Sequence, residues 1–231
     1  MVGPCGAASS RPAGRIVSPV HILLISGDPR DDALPTAALR TAARFAPAGT
    51  VATLYDGLRG LPAFVPSEPA PPDAVTLLRR RIDAADALLF STPEVAGSLP
   101  GSLKNLLDWL VDDGRLDGKP AAWLSVASAG QDEGARATLE TVLGHGRARV
   151  LRPACIRVPL SRDAVDARGL VTDPRLHMAL LDVLQSIARS LAAPPPRPQP
   201  SWPQPSWQAY SSLYPMVLRR GPDTPVFPGG Y

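Results

Sequence analysis

The middle of the chain reads Ala87-Leu88-Leu89-Phe90-Ser91-Thr92-Pro93-Glu94, a short apolar run that stops at a proline. A continuous apolar run of this length, with no alternation of polar residues, is typical of a strand that is buried on both faces of a sheet. Because Pro93 has no amide hydrogen to donate to a neighbouring strand, we expect the strand to end just before it. These residues therefore predict a central strand followed directly by a loop.

Four further segments have the same character and are also predicted to be strands: residues 20–25, 50–55, 120–126 and 150–158. Apolar residues recur at helical spacing elsewhere, which predicts helices at residues 35–46, 73–84, 103–110, 133–143 and 176–191. The alternation of strands and helices implies right-handed crossover connections, and hence a parallel sheet covered by helices on both faces. Residues 56–72 form a long connection rich in glycine and proline, and such long connections are usually functional loops or lids.

The predicted fold class is α/β, with a flavodoxin-like, doubly wound sheet of five parallel strands in the order 2-1-3-4-5. In this order the carboxyl ends of the first, third and fourth strands lie around one crevice, where such sheets bind ligands. The loops that follow Ile25, Ser91 and Val126 are therefore expected to converge on that crevice. This expectation depends only on the order of the strands.

The two ends of the chain differ in composition from its middle. Many of the 28 prolines fall after Ala193, and the same stretch carries several aromatic residues. We predict a flexible leader at residues 1–19, one domain at residues 20–193, and an extended tail rich in proline and aromatic residues at residues 194–231. Two interpretations of the tail stay open: it is disordered, or it docks against the core or a neighbouring subunit.

Charge and composition exclude several classes of function. The net charge is +3, but residues 1–19 and 194–231 each contribute +2, so the domain between them has a net charge of −1. A nearly neutral domain lacks the basic surface that phosphate backbones require, so we expect no nucleic-acid partner. No apolar run approaches the length of about 20 residues that spans a membrane, and the first residues lack the apolar core of a signal peptide. We therefore expect a cytoplasmic protein with no membrane partner.

Neither the cysteines nor the histidines indicate a metal centre. Cys5 and Cys155 are far apart and lie outside any C-x-x-C spacing. The three histidines are scattered as well: His21, His145 and His177. We expect no metal site, and we expect both cysteines to be unreactive thiols in a reducing compartment.

The loop after the third predicted strand carries the most specific motif of the chain. Residues 92–109 read Thr-Pro-Glu-Val-Ala-Gly-Ser-Leu-Pro-Gly-Ser-Leu-Lys-Asn-Leu-Leu-Asp-Trp. This stretch resembles the signature T-P-E-Y-N-G-S-x-P-G-x-L-K-N-x-x-D-W of NADPH-dependent FMN reductases, and it departs from that signature only at Val95 and Ala96. Weaker similarity extends from His21 to Leu191.

The resemblance implies that the crevice holds the isoalloxazine ring of FMN, with NADPH or NADH as the electron donor. In such proteins the backbone amides of this loop hydrogen-bond the polar edge of the ring, and the flavin itself carries out the redox chemistry, so no catalytic acid or base is expected. The implied cofactor-binding residues are Ser26, Gly27, Asp28, Arg30, Thr36, Thr92, Pro93, Glu94, Val95, Ala96, Gly97, Ser128, Ala129 and Gly130.

Other residues near the motif have simpler interpretations. The alternative for the prolines and glycines of residues 93–101 is that they only shape a strand-to-helix turn. Lys104 and Trp109 are interpreted as a helix-surface residue and a packing residue. The stretch Gln131-Asp132-Glu133 is interpreted as a solvent-exposed helix end.

The loop after the first strand departs from the family pattern. Relatives usually read G-S-x-R-x-x-S-x-N there, and they use hydroxyl groups, an arginine and helix-terminal amides to hold the FMN phosphate. Here Asp28, Ala33 and Pro35 replace the two serines and the asparagine, whereas Gly27 and Arg30 remain. Carboxylates in this loop would repel a phosphate. Two interpretations of Arg30 stay open: it pairs with the phosphate, or it neutralises the aspartates of its own loop.

The leading hypothesis is an NAD(P)H-dependent FMN oxidoreductase that passes electrons to a small acceptor such as a quinone or a free flavin. The resemblance also implies a homodimer or homotetramer. The alternative is a degenerate flavodoxin-like protein that has lost FMN binding and serves as a subunit or binding module. A third interpretation keeps the fold but binds a flavin or nucleotide without the usual phosphate contact.

Overall fold

The computed structural model of the protein describes residues 18–192. Its strand segments are β1 (Val20–Ser26), β2 (Thr50–Leu54), β3 (Ala87–Ser91), β4 (Pro120–Ser125), β5 (Arg149–Val150) and β6 (Ile156–Arg157). Its α-helices are α1 (Leu34–Arg44), α2 (Asp73–Ala84), α3 (Gly101–Asp112), α4 (Glu133–His145) and α5 (Pro174–Ala192). The predicted tail, Cys5 and all but the last two residues of the predicted leader lie outside the described residues.

The strands form one parallel sheet in the order β2-β1-β3-β4-β5, which confirms the predicted flavodoxin-like order. β3 lies at the centre, and all five of its residues are buried, as its continuous apolar sequence predicts. Its register brings Ser91 beside Ser26 at the end of β1 and Phe90 beside Trp123 of β4. The carboxyl ends of β1, β3 and β4 therefore reach the same edge of the sheet.

The prediction of one continuous strand at residues 150–158 is wrong. The chain pairs with the first half of β4 as β5, makes a 3-10 turn at Arg152–Ala154, and pairs with the second half of β4 as β6. The turn contains Pro153, whose ring fixes φ and whose nitrogen has no hydrogen for the ladder. A proline inside an apolar run is therefore the reason that the strand is interrupted.

The two faces of the sheet carry separate hydrophobic cores. Helices α1 and α5 pack on one face, where Ala38, Leu39 and Leu180 are buried against residues of β1 and β3. Helices α2, α3 and α4 pack on the other face, where Leu78 and Leu106 belong to the buried cluster. Because each helix presents one apolar stripe to the sheet, both faces are covered and the doubly wound prediction is confirmed.

The long connection at residues 56–72 is fixed to helix α3. Asn105 accepts a hydrogen bond from the amide of Phe64 (2.7 Å) and donates one to the carbonyl of Pro62 (2.9 Å). The indole of Trp109 donates to the same carbonyl (3.1 Å) and meets the Phe64 ring edge to face. Trp109 is buried and Lys104 forms a surface ion pair with Asp108, in agreement with their predicted packing and surface roles.

We expect Asn105→Ala to lower the free energy of unfolding by about 1 to 2 kcal/mol, because the amide of Phe64 loses its partner and the carbonyl of Pro62 keeps only the indole of Trp109. We also expect limited proteolysis to become faster within residues 56–72. The matched control is Lys104→Ala on the same helix, which removes only a surface ion pair and should cost less than about 0.5 kcal/mol. Equal effects of the two substitutions would contradict the bridging role of Asn105.

Candidate functional site

The loops that follow β3 and β4 and the first turn of helix α1 surround a cleft of about 270 Å³ at the carboxyl edge of the sheet. The cleft is lined by Leu34, Pro35, Thr92, Pro93, Glu94, Val126, Ala127, Ser128, Gln131 and Leu160. Four of the predicted cofactor-binding residues are among them, in the loops after β3 and β4. The other predicted cofactor-binding residues of those two loops are exposed: Val95, Ala96, Gly97, Ala129 and Gly130.

The lining of the cleft suits a planar ring with one polar edge. Leu34, Val126 and Leu160 supply apolar surface, whereas Thr92 and Ser128 supply hydroxyl groups. Apolar walls with few polar groups are typical of cofactor sites, which usually enclose about 300 Å³ or more. The size and lining of the cleft are therefore compatible with a planar ring.

The turn at Val95–Ser98 keeps a specific backbone conformation despite its altered side chains. The amide of Val95 donates to the carbonyl of Ser98 (2.9 Å), and the amide of Ser98 donates back to Val95 (3.0 Å). The two central residues, Ala96 and Gly97, have φ values of 50° and 72°. Two successive left-handed residues make a type I′ turn, which favours Asn-Gly. Ala96 keeps this shape although its side chain is poorly suited to it.

Glu94 connects the β3 loop to helix α4. Its Oε2 accepts hydrogen bonds from the amides of Gly134 (2.8 Å) and Ala135 (3.0 Å) in the first turn of that helix. A carboxylate at this position satisfies amides that have no partner within the helix and complements the helix dipole. The Glu94 carboxylate therefore holds the β3 loop against helix α4. The atoms of Glu94 outside its carboxylate remain available to a ligand.

Gly134 allows helix α4 to approach the β3 loop closely. A Cβ atom at this position would lie only 2.0 Å from the carbonyl oxygen of Gly97. Ser98 Oγ also lies 3.2 Å from Thr138 Oγ1, one helical turn further on. Sequence analysis missed Gly134 as a residue of the site. The only signal in the sequence is that a glycine stands in the first turn of a predicted helix, although most other residues form helices more readily.

The polar groups of the β1–α1 loop (residues 27–33) and its flanks are bonded to one another. Ser26 Oγ and Thr36 Oγ1 are 2.8 Å apart, and Thr36 Oγ1 also donates to the carbonyl of Arg30 (3.1 Å). The amide of Asp28 donates to Ser26 Oγ (3.2 Å). Pro35 occupies the first turn of helix α1 and brings no amide hydrogen to it.

Asp28 and Arg30 form a two-point ion pair within this loop. Arg30 Nε donates to Oδ1 (3.0 Å) and Nη2 to Oδ2 (2.7 Å), and the amide of Arg30 also donates to Oδ1 (3.0 Å). Asp28 is 7% exposed, so its carboxylate points into the loop. The Arg30 guanidinium holds the pKa of Asp28 below its usual value. Of the two interpretations of Arg30, the structure supports neutralisation of an aspartate in its own loop.

A smaller cavity of about 70 Å³ adjoins the β1–α1 loop. It is lined by Ser26, Asp28, Pro29, Arg30, Asp31, Thr36, Leu54, Tyr55, Asp56, Leu58 and Arg59. Arg59 reaches across from the segment after β2 and donates through Nε to the carbonyl of Pro29. Burial raises the pKa of Tyr55 to about 12, so its hydroxyl stays protonated. Sequence analysis missed Arg59, because nothing in its local pattern connects it to β1.

The interpretation of residues 131–133 as a solvent-exposed helix end is wrong for Asp132. Its side chain is buried and forms an ion pair with Arg157 of β6, and Arg136 Nε lies 3.9 Å from its Oδ2. Gln131 and Glu133 are exposed as expected. Asp132 is buried because β6 continues alongside β4 and brings Arg157 to the start of helix α4.

Within residues 18–192, no group of three or more histidine, cysteine or acidic side chains is arranged to hold a metal ion. None of the described helices is both long and apolar enough to cross a membrane. Cys155 is a free, half-buried thiol, and burial raises its pKa above the usual value. A raised thiol pKa disfavours the reactive thiolate form.

We expect Gly134→Ala to lower the free energy of unfolding by about 2 kcal/mol or more, although alanine is the better helix former by about 1 kcal/mol. The reason is the collision of the new methyl group with the carbonyl of Gly97. Gly144→Ala in the same helix is the control, because its Cβ would meet no atom within 4 Å. It should stabilise the protein by about 0.5 to 1 kcal/mol in urea unfolding. Stabilisation by both substitutions would disprove the close approach.

We expect the stability advantage of the protein over its Asp28→Asn variant to depend on pH. Because folding lowers the pKa of Asp28, its ion pair stabilises the folded state above the usual aspartate pKa of about 4 and is lost as pH falls through the lowered pKa. The advantage should be about 0.5 to 1 kcal/mol near neutral pH, since Arg30 is more than half exposed. Urea unfolding should show it shrinking below about pH 4, and an advantage that stays constant in acid would argue against the ion pair.

The sequence matches the family of NADPH-dependent FMN reductases over residues 20–159. It is 35% identical over 174 residues to the NAD(P)H-dependent FMN reductase PA1204 of Pseudomonas aeruginosa, covering 73% of this chain and 93% of that protein. It is also 31% identical over 122 residues to a quinone reductase of Escherichia coli K12, covering 51% of this chain and 64% of that protein.

Solved structures agree with this assignment. FerB, a flavoenzyme NAD(P)H:(acceptor) oxidoreductase from Paracoccus denitrificans, superposes with a TM-score of 0.60 at 25% identity, covering 75% of this chain and 97% of that one. An oxidoreductase from Corynebacterium diphtheriae shares the fold, with a TM-score of 0.52 at 18% identity and coverage of 74% and 98%. The strand order, the motif at residues 92–109 and these matches agree, and the chain belongs to the NADPH-dependent FMN reductase family.

Proposed function

We propose that the protein is an NAD(P)H-dependent flavin oxidoreductase that holds FMN in the cleft beside β3. Its electron acceptor is a small molecule such as a quinone or a free flavin. The observation that carries the proposal is the 270 Å³ cleft, whose lining combines apolar surface with a few hydroxyl groups. Family membership supports the same activity, because relatives of this chain are an FMN reductase and a quinone reductase.

The proposed contacts divide between the two ends of FMN. Residues 92–97 and 128–130 face the isoalloxazine ring, and the turn at Val95–Ser98 offers backbone groups to its polar edge. Ser26, Asp28, Arg30 and Thr36 lie at the phosphate end, beside the smaller cavity. Gly27 lies between the two ends, where it packs against Thr92. The support for this division is that the two groups of residues adjoin separate cavities.

The protein contributes position and rigidity to the proposed reaction. FMN, when bound, supplies the redox chemistry, because its ring accepts a hydride from the nicotinamide and passes electrons to the acceptor. Glu94 holds the β3 loop against helix α4 through two hydrogen bonds, and Ser98 adds a contact to Thr138. A loop fixed before the ligand arrives loses little conformational entropy on binding, which favours a defined ring orientation.

No catalytic side chain is assigned. Of the residues that line the cleft, only Glu94 is ionisable, and its carboxylate already accepts two helix amides. The exposed rim at Val95 and residues 128–130 leaves one side of the cleft open. That side gives the nicotinamide and then the acceptor a route to the ring.

The rival interpretation, a degenerate protein that serves as a subunit or binding module, is not favoured. That interpretation is based on the altered β1–α1 loop and on the aromatic tail. The tail lies outside the described residues. The β3 loop keeps its turn geometry and its connection to helix α4. Relatives with reductase activity also match over most of the chain.

We further propose that the protein is cytoplasmic and forms a homodimer or homotetramer. The support for this assembly is the membership of the NADPH-dependent FMN reductase family, because the resemblance to that family implies a homodimer or homotetramer. Sedimentation of the full chain at several concentrations tests the assembly, and a monomer at all concentrations would contradict it.

We expect titration of the protein with FMN to quench flavin fluorescence saturably, and NADH or NADPH to bleach the bound flavin. Ser128→Trp should weaken FMN binding by about tenfold or more, because the indole fills part of the cleft. Gln185→Trp is the control, since it adds the same side chain to an exposed position of helix α5. Absence of saturable quenching by the unsubstituted protein would disprove the proposed function.

A further inference from the structure

The β1–α1 loop has few groups left with which to receive a phosphate. Arg30 gives two guanidinium donors and its amide to Asp28, and the hydroxyl groups of Ser26 and Thr36 are bonded to each other. Pro35 brings no amide to the first turn of helix α1. In relatives the corresponding hydroxyls, arginine and helix-terminal amides hold the phosphate of FMN. In this chain the arginine and the hydroxyl groups of that set are engaged within the protein, and Pro35 removes one of the helix-terminal amides.

We infer that the carboxylate of Asp28 occupies the hydrogen-bond donors of Arg30 that a flavin phosphate would otherwise use. As a result, the site binds riboflavin about as tightly as FMN. The inference rests on the proposed function, because it concerns which flavins the same cleft accepts. It extends that function by naming flavins without a phosphate as ligands of the site.

The charge of the loop supports the inference. Within the loop, the three carboxylates of Asp28, Asp31 and Asp32 accompany one guanidinium group, that of Arg30. The neighbouring segment adds one charge of each sign to the cavity, from Asp56 and Arg59. A phosphate monoester carries a charge of about −1.5 to −2 at neutral pH. Adding it to a loop whose carboxylates already outnumber its cations is unfavourable unless a carboxylate is displaced. FMN therefore gains little attraction here that riboflavin lacks.

Displacement of Asp28 by the phosphate is also unfavourable. Asp28 is 7% exposed, and Arg30 is its only ion-pair partner among the described residues. If a phosphate took over the Arg30 guanidinium, the buried carboxylate of Asp28 would keep only the amide of Arg30 and would have no cation beside it, which is unfavourable. The gain from the new charge-assisted bonds is therefore offset by the loss of the old ones.

The ring end of the site does not distinguish the two flavins. Riboflavin and FMN share the isoalloxazine ring and the ribityl chain and differ only in the phosphate. The cleft that would receive the ring is lined by the loops after β3 and β4 and the first turn of helix α1. None of the residues that line the cleft carries a positive charge. The difference in affinity thus depends on the β1–α1 loop and the smaller cavity beside it.

The experiment measures dissociation constants for FMN and riboflavin by fluorescence quenching, with the full chain and three variants. For the unsubstituted protein we expect the two constants to agree within about threefold. Asp28→Ser should bind FMN about tenfold tighter or more, with riboflavin unchanged, because Arg30 is released for the phosphate. Asp32→Ser is the matched control, since it removes an exposed carboxylate of the same loop and leaves Arg30 paired.

The double variant Asp28→Ser with Arg30→Ala identifies the group that is released. We expect it to lose the gain for FMN, because no guanidinium then remains at position 30. If the unsubstituted protein binds FMN more than about tenfold tighter than riboflavin, the inference is overturned and the reductase function stands. If Asp32→Ser gives the same gain as Asp28→Ser, general charge explains the effect and the inference is also overturned. If neither flavin binds, the proposed function itself fails.

Discussion

The site depends on the contact between the carboxylate of Glu94 and the first turn of helix α4. Parallel pairing of β1, β3 and β4 brings three loops to one edge of the sheet, but it does not fix the conformation of any of them. Glu94 does so for the β3 loop, since its two hydrogen bonds fix this loop against a helix that follows a different strand. Gly134 makes the contact sterically possible. The shape of the cleft between the loops after β3 and β4 therefore depends on the carboxylate of Glu94 and on the lack of a side chain at Gly134.

The two ends of the proposed flavin site are built on different principles. The ring end relies on backbone geometry, which tolerates changes of side chain as long as the turn persists. Ala96 illustrates this, because it keeps a left-handed φ of 50° where asparagine would be better suited. The phosphate end relies on side-chain donors, which are lost or redirected by single substitutions. Asp28 redirects Arg30 in this way.

Sequence patterns predicted the parts of the structure that depend on local periodicity. The apolar runs predicted the strands, the expectation of a flavodoxin-like fold predicted their order, and the motif at residues 92–109 predicted the loop beside the cleft. The interruption at Pro153 was visible in the sequence but was outweighed by the apolar residues around it. The burial of Asp132 and the cap formed by Glu94 were not predictable in this way. Both depend on partners 25 and 40 residues away, which a local pattern does not report.

The contacts of each position in the β1–α1 loop determine which residues that position can hold. A Cβ at Gly27 would lie 2.2 Å from Thr92 Oγ1 and 2.8 Å from a methyl group of Leu103, so this glycine is required where the β1 and β3 loops pack together. That packing is needed for any ligand in the cleft, with or without a phosphate. Position 28 is not constrained in this way by the β3 loop, and the aspartate there is accommodated by its ion pair with Arg30. The loop thus keeps the glycine that packs against the β3 loop, and it carries an aspartate at position 28, where the proposed site would receive a phosphate.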